Sequence, residues 1–415
     1  MRANIAKRVV EGNLIVKSVL AFASIALLVT ACAHARVEEA DTGGWDQRNL
    51  DAIVNAVQDS GAHGLDPANY DVLGLHAALA LGGEGASEAA TETFFTLAAD
   101  LYEGAFAPAD RPRWHIAGPS LDPAAMEEAL RNALDDHDIE KALSTFEPPQ
   151  PQYAALKAVL AATPQGDAAA PTLKLNMERW RWMPRALGDD YVLVNVPAYE
   201  VIVVKHGKEV DRRKVIVGKT SSPTPQFAAV ITGVSFNPTW YVPGKIVAES
   251  VGALLKNNPD KAAKEGYYVA PDGGVRQKPG DGNALGKMKL VMPNPYAIYL
   301  HDTPAKTLFA RDARAFSHGC IRVDGALDFA RLVLGSDWKK EQVDDLVATK
   351  ETVTVDLQRP LPVYVVYFTA DVVDGAVRFY PDVYGLDREM IASQALAPQA
   401  SAETEEGGCY PGETN

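Results

Sequence analysis

Residues 297–323 read AIYLHDTPAKTLFARDARAFSHGCIRV, in which His301 ends an apolar run and Cys320 lies in a short Ser-His-Gly-Cys turn. A thiol attacks only as its thiolate, and near neutral pH it needs a base or a positive neighbour to lose its proton. His301 comes from a different segment and can face the sulfur. His318 is only two residues from Cys320 and is poorly placed to aim its ring. We therefore predict Cys320 as nucleophile and His301 as general base and then general acid.

The residues around this pair have predicted roles of their own. The backbone N–H groups of Gly319 and Cys320 are candidate donors to an oxyanion, because glycine allows a tight turn and a close approach of substrate. The backbone carbonyl or the side chain of Asp302 is the candidate group that fixes the imidazole tautomer. A predicted helix over 323–334, with Asp324 as its N-cap, would turn its positive end towards the sulfur.

Two other interpretations of these residues are possible from the sequence. A lone buried cysteine is more often a small apolar side chain than a nucleophile. Cys320, His318 and His301 could also bind zinc, but no second cysteine and no closely spaced histidine pair accompanies them. We therefore expect no metal and no cofactor.

The sequence on both sides of this stretch predicts a β-rich domain. Short runs rich in valine and isoleucine predict strands over 191–196, 199–204, 210–217, 228–236, 288–292, 297–301, 353–357, 363–369 and 376–379. Residues 244–283 interrupt them with a short amphipathic helix and a Gly/Pro-rich stretch. An excursion of that length predicts a cap over a site.

The first part of the chain has a helical pattern. Leu50, Ile53, Val54 and Val57 recur at the spacing of one helix face, and similar stripes follow, so we predict a helical domain over 40–160. Residues 161–172 are small, polar and proline-bounded, which predicts a linker. Residues 391–415 predict a disordered acidic tail.

The N-terminus has the pattern of an export signal, predicted over 1–35. Basic residues precede an apolar run over 19–29, which is too short to span a bilayer as a helix. One alternative is a lipoprotein signal that ends before Cys32, which would then be lipidated and could attach the protein to a membrane. The other is ordinary cleavage after Ala33-His34-Ala35. Both predict an exported, periplasmic protein.

Charge and cysteine content narrow the function further. The formal net charge of −14 argues against nucleic-acid binding, which needs a basic surface. Besides Cys32, the cysteines are Cys320 and Cys409, and Cys409 lies in the predicted tail, so a fixed bridge between them is not expected. A free thiol in an exported protein points to a reactive one.

The motifs together resemble the L,D-transpeptidase (YkuD-type) catalytic domain. His301, the fifteen-residue gap and the Ser-His-Gly-Cys-Ile stretch match its signature. The likeness extends in order over residues 173–390, through NMERWRWMP (176–184), VIVGK (215–219), NPTWYVP (237–243), GNALG (282–286) and YLHDTP (299–304). The N-terminal part resembles the scaffold domain of the large periplasmic branch of that family.

This resemblance implies an α+β protein: a helical scaffold domain followed by a β-sandwich catalytic domain with a capping insertion. It implies Cys320 as nucleophile and His301 as base. The site would be shaped by Ser317, His318, Gly319 and Asp302, and lined by Arg322. The implied substrate is the tetrapeptide stem of peptidoglycan, cross-linked 3→3 through an acyl-enzyme, with carbapenems as expected inhibitors.

Two departures and several alternatives accompany the resemblance. The peptidoglycan-binding module common in this branch is replaced by the predicted linker, and Arg322 stands where the broad family usually has asparagine. Arg322 could meet a substrate carboxylate or pair with an acid such as Asp324. The acyl group could instead pass to water or to a lysine of a wall-anchored lipoprotein. A non-catalytic wall-binding scaffold is the alternative from another class.

Overall fold

The structure, a computed structural model, describes residues 44–396. The predicted export signal, with Cys32, and most of the predicted tail, with Cys409, lie outside the described residues. Among residues 44–396 no helix is both long enough and apolar enough to cross a membrane.

The N-terminal part is helical, as predicted. Its helices are α1 (Gln47–Gln58), α2 (Val72–Leu81), α3 (Glu84–Glu103), α4 (Pro123–Asp136), α5 (Ile139–Ser144), α6 (Pro151–Ala162) and α7 (Ala170–Arg181). Helix α1 begins where the Asp46 side chain accepts the N–H of Asn49, which satisfies one donor of its first turn. Ile53 and Val57 of the predicted stripe are fully buried against α3 and α5 in the scaffold core.

The second part is built on strands. They are β1 (Trp114–His115), β2 (Tyr191–Asn195), β3 (Glu200–Lys205), β4 (Lys208–Gly218), β5 (Gln226–Phe236), β6 (Trp240–Tyr241), β7 (Tyr267–Val269), β8 (Val275–Gln277), β9 (Met288–Val291), β10 (Leu300–His301), β11 (Ala315–Ser317), β12 (Ile321–Val323), β13 (Val353–Val366), β14 (Ala370–Val373) and β15 (Ala376–Phe379). The helices among them are α8 (Gly252–Asn257), α9 (Pro259–Lys264), α10 (Ala326–Leu334), α11 (Lys340–Ala348) and α12 (Leu386–Leu396).

The main sheet runs β1-β5-β13-β2-β3-β4-β12-β10-β9, and β9 also pairs with β5. This second pairing closes the sheet into a ring. The two sheets of the expected sandwich are therefore joined by strand pairing into one continuous sheet. Val192, Val215, Leu300 and Ile321 are fully buried in the core, and Phe329 of α10 packs into the same cluster. Burying this much apolar surface is what stabilises the ring.

The junction between the two parts is tightly packed. Residues 163–169, inside the predicted linker, form a short turn between α6 and α7. Leu156 of α6 and Met177 of α7 share one core cluster with Leu193 of β2. Strand β1 extends the main sheet by pairing in parallel with β5. The helices on both sides of the turn are therefore held together through a common core.

The capping insertion has a small core of its own. Strands β6, β8 and β7 form a three-stranded sheet, and a helical segment that contains one π-helical turn (Val247–Val251) leads into α8. Trp240, Val251 and Leu285 are buried together, with Tyr299 of the main domain packed against them. Because Trp240 lies in β6, the cap begins before the predicted start at residue 244.

Two predicted elements start in the wrong place. Strand β10 begins at Leu300 because the chain before it forms a turn. Ala297 has a left-handed φ of 54°, and the Asn294 side chain donates to the carbonyls of Met292 and Ile298. The helix predicted from residue 323 begins at Ala326. Val323 is the last residue of β12, and Asp324 accepts from the N–H of Gly325 without capping the helix.

Candidate active site

The candidate site lies on one face of three neighbouring strands. Side chains alternate between the two faces of a strand, so Leu300 and Ile321 point into the core while their neighbours point away from it. In the registers, Lys289 of β9 pairs with His301 of β10, and His301 pairs with Arg322 of β12. Directly paired residues share a face, so Lys289, His301 and Arg322 form one row across the sheet.

The predicted nucleophile, Cys320, lies just outside this row. Leu300 pairs with Ile321, so Cys320, just before β12, lies level with Tyr299, and His301 is its diagonal neighbour. Diagonal neighbours are about 7–8 Å apart between Cα atoms, within the span of a thiol and an imidazole that point to one another. Among the described residues, the sulfur hydrogen bonds to the Ala297 carbonyl at 3.7 Å, and no hydrogen bond joins it to His301.

The Ser-His-Gly-Cys turn is held by a hydroxyl. Ser317 Oγ accepts the N–H of Gly319 at 3.0 Å and donates to the carbonyl of Cys320 at 2.5 Å. Gly319 has a φ of 117°, and a Cβ there would lie 3.0 Å from Ile298, so only glycine fits without strain. The predicted oxyanion role of the Gly319 N–H does not hold here, because that donor is already engaged by Ser317. The Cys320 N–H stays a candidate.

A second set of hydrogen bonds supports the turn from below. Thr224 Oγ1 donates to the Gly319 carbonyl at 2.7 Å and accepts the N–H of Gly218 at 2.9 Å. The Tyr384 hydroxyl donates to the Gly218 carbonyl at 2.7 Å and accepts the N–H of Thr224. Since Thr224 and Gly319 are both buried, these bonds fix the backbone that carries Cys320.

His301 is 4% exposed, and its Nδ1 contacts the backbone carbonyl of Asp302. A carbonyl only accepts, so Nδ1 carries the proton and Nε2 is free to accept one. Of the two groups predicted at Asp302, the carbonyl orients the ring. The carboxylate binds the N–H of Lys287 at 2.8 Å and the ammonium of Lys306. Gly286 leaves room for that carboxylate, because a Cβ there would overlap it.

The electrostatics keep the pair neutral before substrate binds. Burial, together with the charge of Arg322, lowers the pKa of His301 to about 3, so the imidazole is neutral across physiological pH. Burial also raises the pKa of Cys320, while Tyr299, Arg322 and Lys289 act in the opposite direction. A thiol in this state would lose its proton only as it attacked a substrate, and the neutral imidazole is the predicted proton acceptor.

The predicted helix dipole does not contribute to this chemistry. Strand β12 and the turn at Asp324-Gly325 separate Cys320 from the first residue of α10. Three strand residues alone span about 10 Å, and a helix terminus acts only over about one turn. The positive charge near the sulfur comes from side chains.

Arg322 has no acid partner among the described residues. Its Nε is buried without a hydrogen-bond partner, and Asp324 binds the N–H of Gly325 instead. Burial lowers its pKa, partly offset by the nearby Cys320. A half-buried guanidinium without a partner, next to the sulfur, is placed to stabilise the thiolate or to bind a carboxylate.

Replacing Arg322 by methionine is expected to slow alkylation of Cys320 by iodoacetamide at pH 7 by about fivefold, since roughly 1 kcal/mol of charge attraction is lost. The guanidinium lowers the thiol pKa, so its removal moves the alkylation profile to higher pH. The exposed Arg359→Met variant serves as control. An unchanged R322M profile would show that the guanidinium does not act on the sulfur.

His318 faces the cap. Its Nε2 lies 3.0 Å from Glu249 in the π-helical turn of the cap and 3.4 Å from Lys219 Nζ. The side chain is 38% exposed. His318 therefore connects the Ser-His-Gly-Cys turn to the cap.

Two residues near the sulfur, Tyr299 and Lys289, were not predicted as site residues from the sequence. Tyr299 lies level with Cys320 and packs against the core of the cap that contains Trp240. Its ring lies edge-on to His301 with centroids 5.8 Å apart. Lys289 Nζ lies 5.1 Å from the centroid of Tyr299. Strand alternation could have found Tyr299, two residues before His301. Lys289 required the register between β9 and β10.

Comparison with known proteins identifies the domains. A scaffold-domain family model matches residues 41–160, and the YkuD family model, described as the L,D-transpeptidase catalytic domain, matches residues 189–363, which include His301 and Cys320. This chain carries a YkuD L,D-transpeptidase catalytic domain. A Haemophilus influenzae protein named as an L,D-transpeptidase is 31% identical over 239 residues. The match covers 52% of this chain and 48% of that protein, so the chain spans about half the length of this relative.

Solved structures give weaker similarities. An L,D-transpeptidase from Mycobacterium smegmatis is 14% identical, with a TM-score of 0.24, over 43% of this chain and 58% of that one. The catalytic domain of an Enterococcus faecium L,D-transpeptidase acylated by ertapenem is also 14% identical, with a TM-score of 0.24, over 44% and 99% of the two chains. At this level neither likeness supports a statement about chemistry. Among residues 44–396, no three His, Cys, Asp or Glu side chains cluster as metal ligands.

Proposed function

We propose that this protein is a peptidoglycan L,D-transpeptidase that forms 3→3 cross-links through an acyl-enzyme on Cys320. The observation that carries the proposal is the pair on one face of adjacent strands: a half-buried thiol, and a buried neutral imidazole whose Nδ1 is held by the Asp302 carbonyl. The YkuD match over residues 189–363 supports it.

The first half-reaction makes a thioester. The sulfur of Cys320 attacks the carbonyl of the diaminopimelate residue in a tetrapeptide stem, and His301 Nε2 takes the thiol proton. The Cys320 N–H is the candidate donor to the oxyanion. When the tetrahedral intermediate collapses, the bond to the terminal D-alanine breaks and His301 returns the proton to its amine.

The second half-reaction transfers the acyl group. The side-chain amine of another diaminopimelate attacks the thioester, His301 accepts a proton from that amine, and the thiol is regenerated. No metal or organic cofactor enters either step. Water, or a lysine of a wall-anchored lipoprotein, could replace the amine without changing the residues involved. The resemblance to the family further leads us to expect that carbapenems acylate Cys320.

Incubation of the purified protein with disaccharide-tetrapeptide units, followed by mass analysis, tests the proposal. A dimer lighter than two tetrapeptide units by one D-alanine is the expected product. If the products were only free D-alanine and tripeptide units, the protein would be identified as a carboxypeptidase instead. The absence of any product would favour a wall-binding protein that keeps the fold without the chemistry.

The location of the protein is part of the same proposal. The N-terminal pattern supports export to the periplasm, with attachment to a membrane if Cys32 is lipidated. Fractionation of Cys32→Ser distinguishes the alternatives, since a variant that stays with the membranes would contradict lipidation.

A further inference from the structure

Lys289 is an ammonium group at the active site that the mechanism above does not use. It lies in the row Lys289–His301–Arg322, so the imidazole has a cation on each side. Its Nζ lies over the ring of Tyr299, and Tyr299 lies level with Cys320 across the pairing of β10 and β12. Lys289 and Arg322 therefore approach the reacting atoms from opposite strands, β9 and β12.

Two lysines close to this row have acid partners, and Lys289 has none among residues 44–396. Lys287 pairs with Asp281, and Lys306 pairs with Asp302. Lys289 is half-buried, and burial lowers its pKa. Holding an ammonium group away from water without a counterion costs free energy, and a ligand carboxylate would offset that cost.

A cavity lined in part by Ala297, the residue that contacts the Cys320 thiol, is available for such a ligand. Lys289, Met292, Asn294, Ala297 and Tyr299 line a cavity of about 240 Å³. The Ala297 carbonyl in its wall accepts the hydrogen bond of the Cys320 thiol. A peptide bound with its scissile carbonyl at the sulfur could thus extend one residue into this cavity.

We propose that Lys289 recognises the carboxylate of the residue that leaves, the C-terminal carboxylate of the acyl-donor stem. This inference rests on the proposed function. In a tetrapeptide that carboxylate carbon is three bonds from the scissile carbonyl carbon, about 4 Å away in an extended chain. It would therefore fall in the cavity beside Tyr299, where the Lys289 ammonium is the available cation. Arg322 remains on the other side of His301.

The test compares two acyl donors that differ only at this group: a tetrapeptide stem with a free C-terminal carboxylate and the same stem with a C-terminal carboxamide. Acylation is followed by release of alanine or alaninamide. For Lys289→Met we expect kcat/KM with the carboxylate donor to fall about 10- to 100-fold, the usual effect of losing a charge-assisted hydrogen bond. With the carboxamide donor the loss should be no more than about fivefold, the effect of removing one charge that lowers the thiol pKa. This retained reaction also shows that the variant is folded. Lys289→Arg should keep much of the preference for the carboxylate.

A control and the remaining outcomes complete the test. Lys208→Met removes an exposed lysine at the start of β4 and should change neither rate. An equal loss with both donors would place Lys289 in the thiol chemistry and overturn the assignment, as would no loss with either donor. If the wild type releases neither leaving group, the proposed function itself fails, and the inference fails with it.

Discussion

Cys320→Ala is expected to abolish covalent modification by a carbapenem, whereas the wild type gains the mass of one inhibitor molecule. The reason is that the acyl bond forms at the sulfur, and alanine offers no nucleophile in its place. Cys320 is also the free cysteine among residues 44–396. Intact-mass spectrometry measures the result directly, and cross-linking of tetrapeptide units should be lost at the same time.

A second cysteine variant makes this result specific. Cys409→Ala removes the cysteine near the C-terminus and should still form one adduct. An adduct that persists on Cys320→Ala would place the nucleophile elsewhere. Folding is checked independently by thermal unfolding, because Cys320 is only half-buried and packs at the edge of the core, so its truncation should leave the fold intact.

His301→Gln is expected to lower the rate of acylation by about 100- to 10,000-fold, the usual contribution of a positioned general base. The variant keeps a polar side chain of similar size but cannot accept the thiol proton at neutral pH. Because burial lowers the pKa of His301 to about 3, the wild-type imidazole stays neutral well below pH 6. Protonation removes the base form only as the pH falls towards about 3, so acylation should show no loss attributable to histidine between pH 7 and pH 5.

Asp302→Asn provides the matched control for this prediction. The variant keeps the backbone carbonyl that contacts His301 Nδ1 and changes only the carboxylate that binds Lys306 and the Lys287 N–H. We expect a much smaller loss of acylation than in His301→Gln. If the two variants were equally impaired, the carboxylate and not the carbonyl would orient the imidazole.

Several features of the site were open to sequence reasoning because they depend on local pattern. Alternation alone puts Arg322 of β12 and the preceding Cys320 on one face, with Ile321 and Val323 in the core. Gly319 could be recognised as a turn residue, and it has the left-handed φ that such a turn requires. The assignment of His301 as general base remains a prediction that the variants above test.

Other assignments depend on how distant segments meet. The Gly319 N–H is not available to an oxyanion because it donates to the Ser317 hydroxyl. Arg322 does not pair with Asp324, because the Asp324 carboxylate accepts the N–H of Gly325. The start of α10 moved to Ala326 because three residues of β12 add to the sheet before the chain can turn. In each case a contact with another segment outweighed the local preference.

The sequence by itself determined the division into a helical and a β-rich part, the candidate thiol–imidazole pair and the family. These follow from the spacing of apolar residues and from short motifs, which are local properties of the chain. Only the tertiary structure decided that Lys289 stands beside His301, that His318 turns to Glu249 of the cap, and that the Asp302 carbonyl holds the imidazole. Strand register and loop packing set those distances, and both arise from the collapse of the whole core.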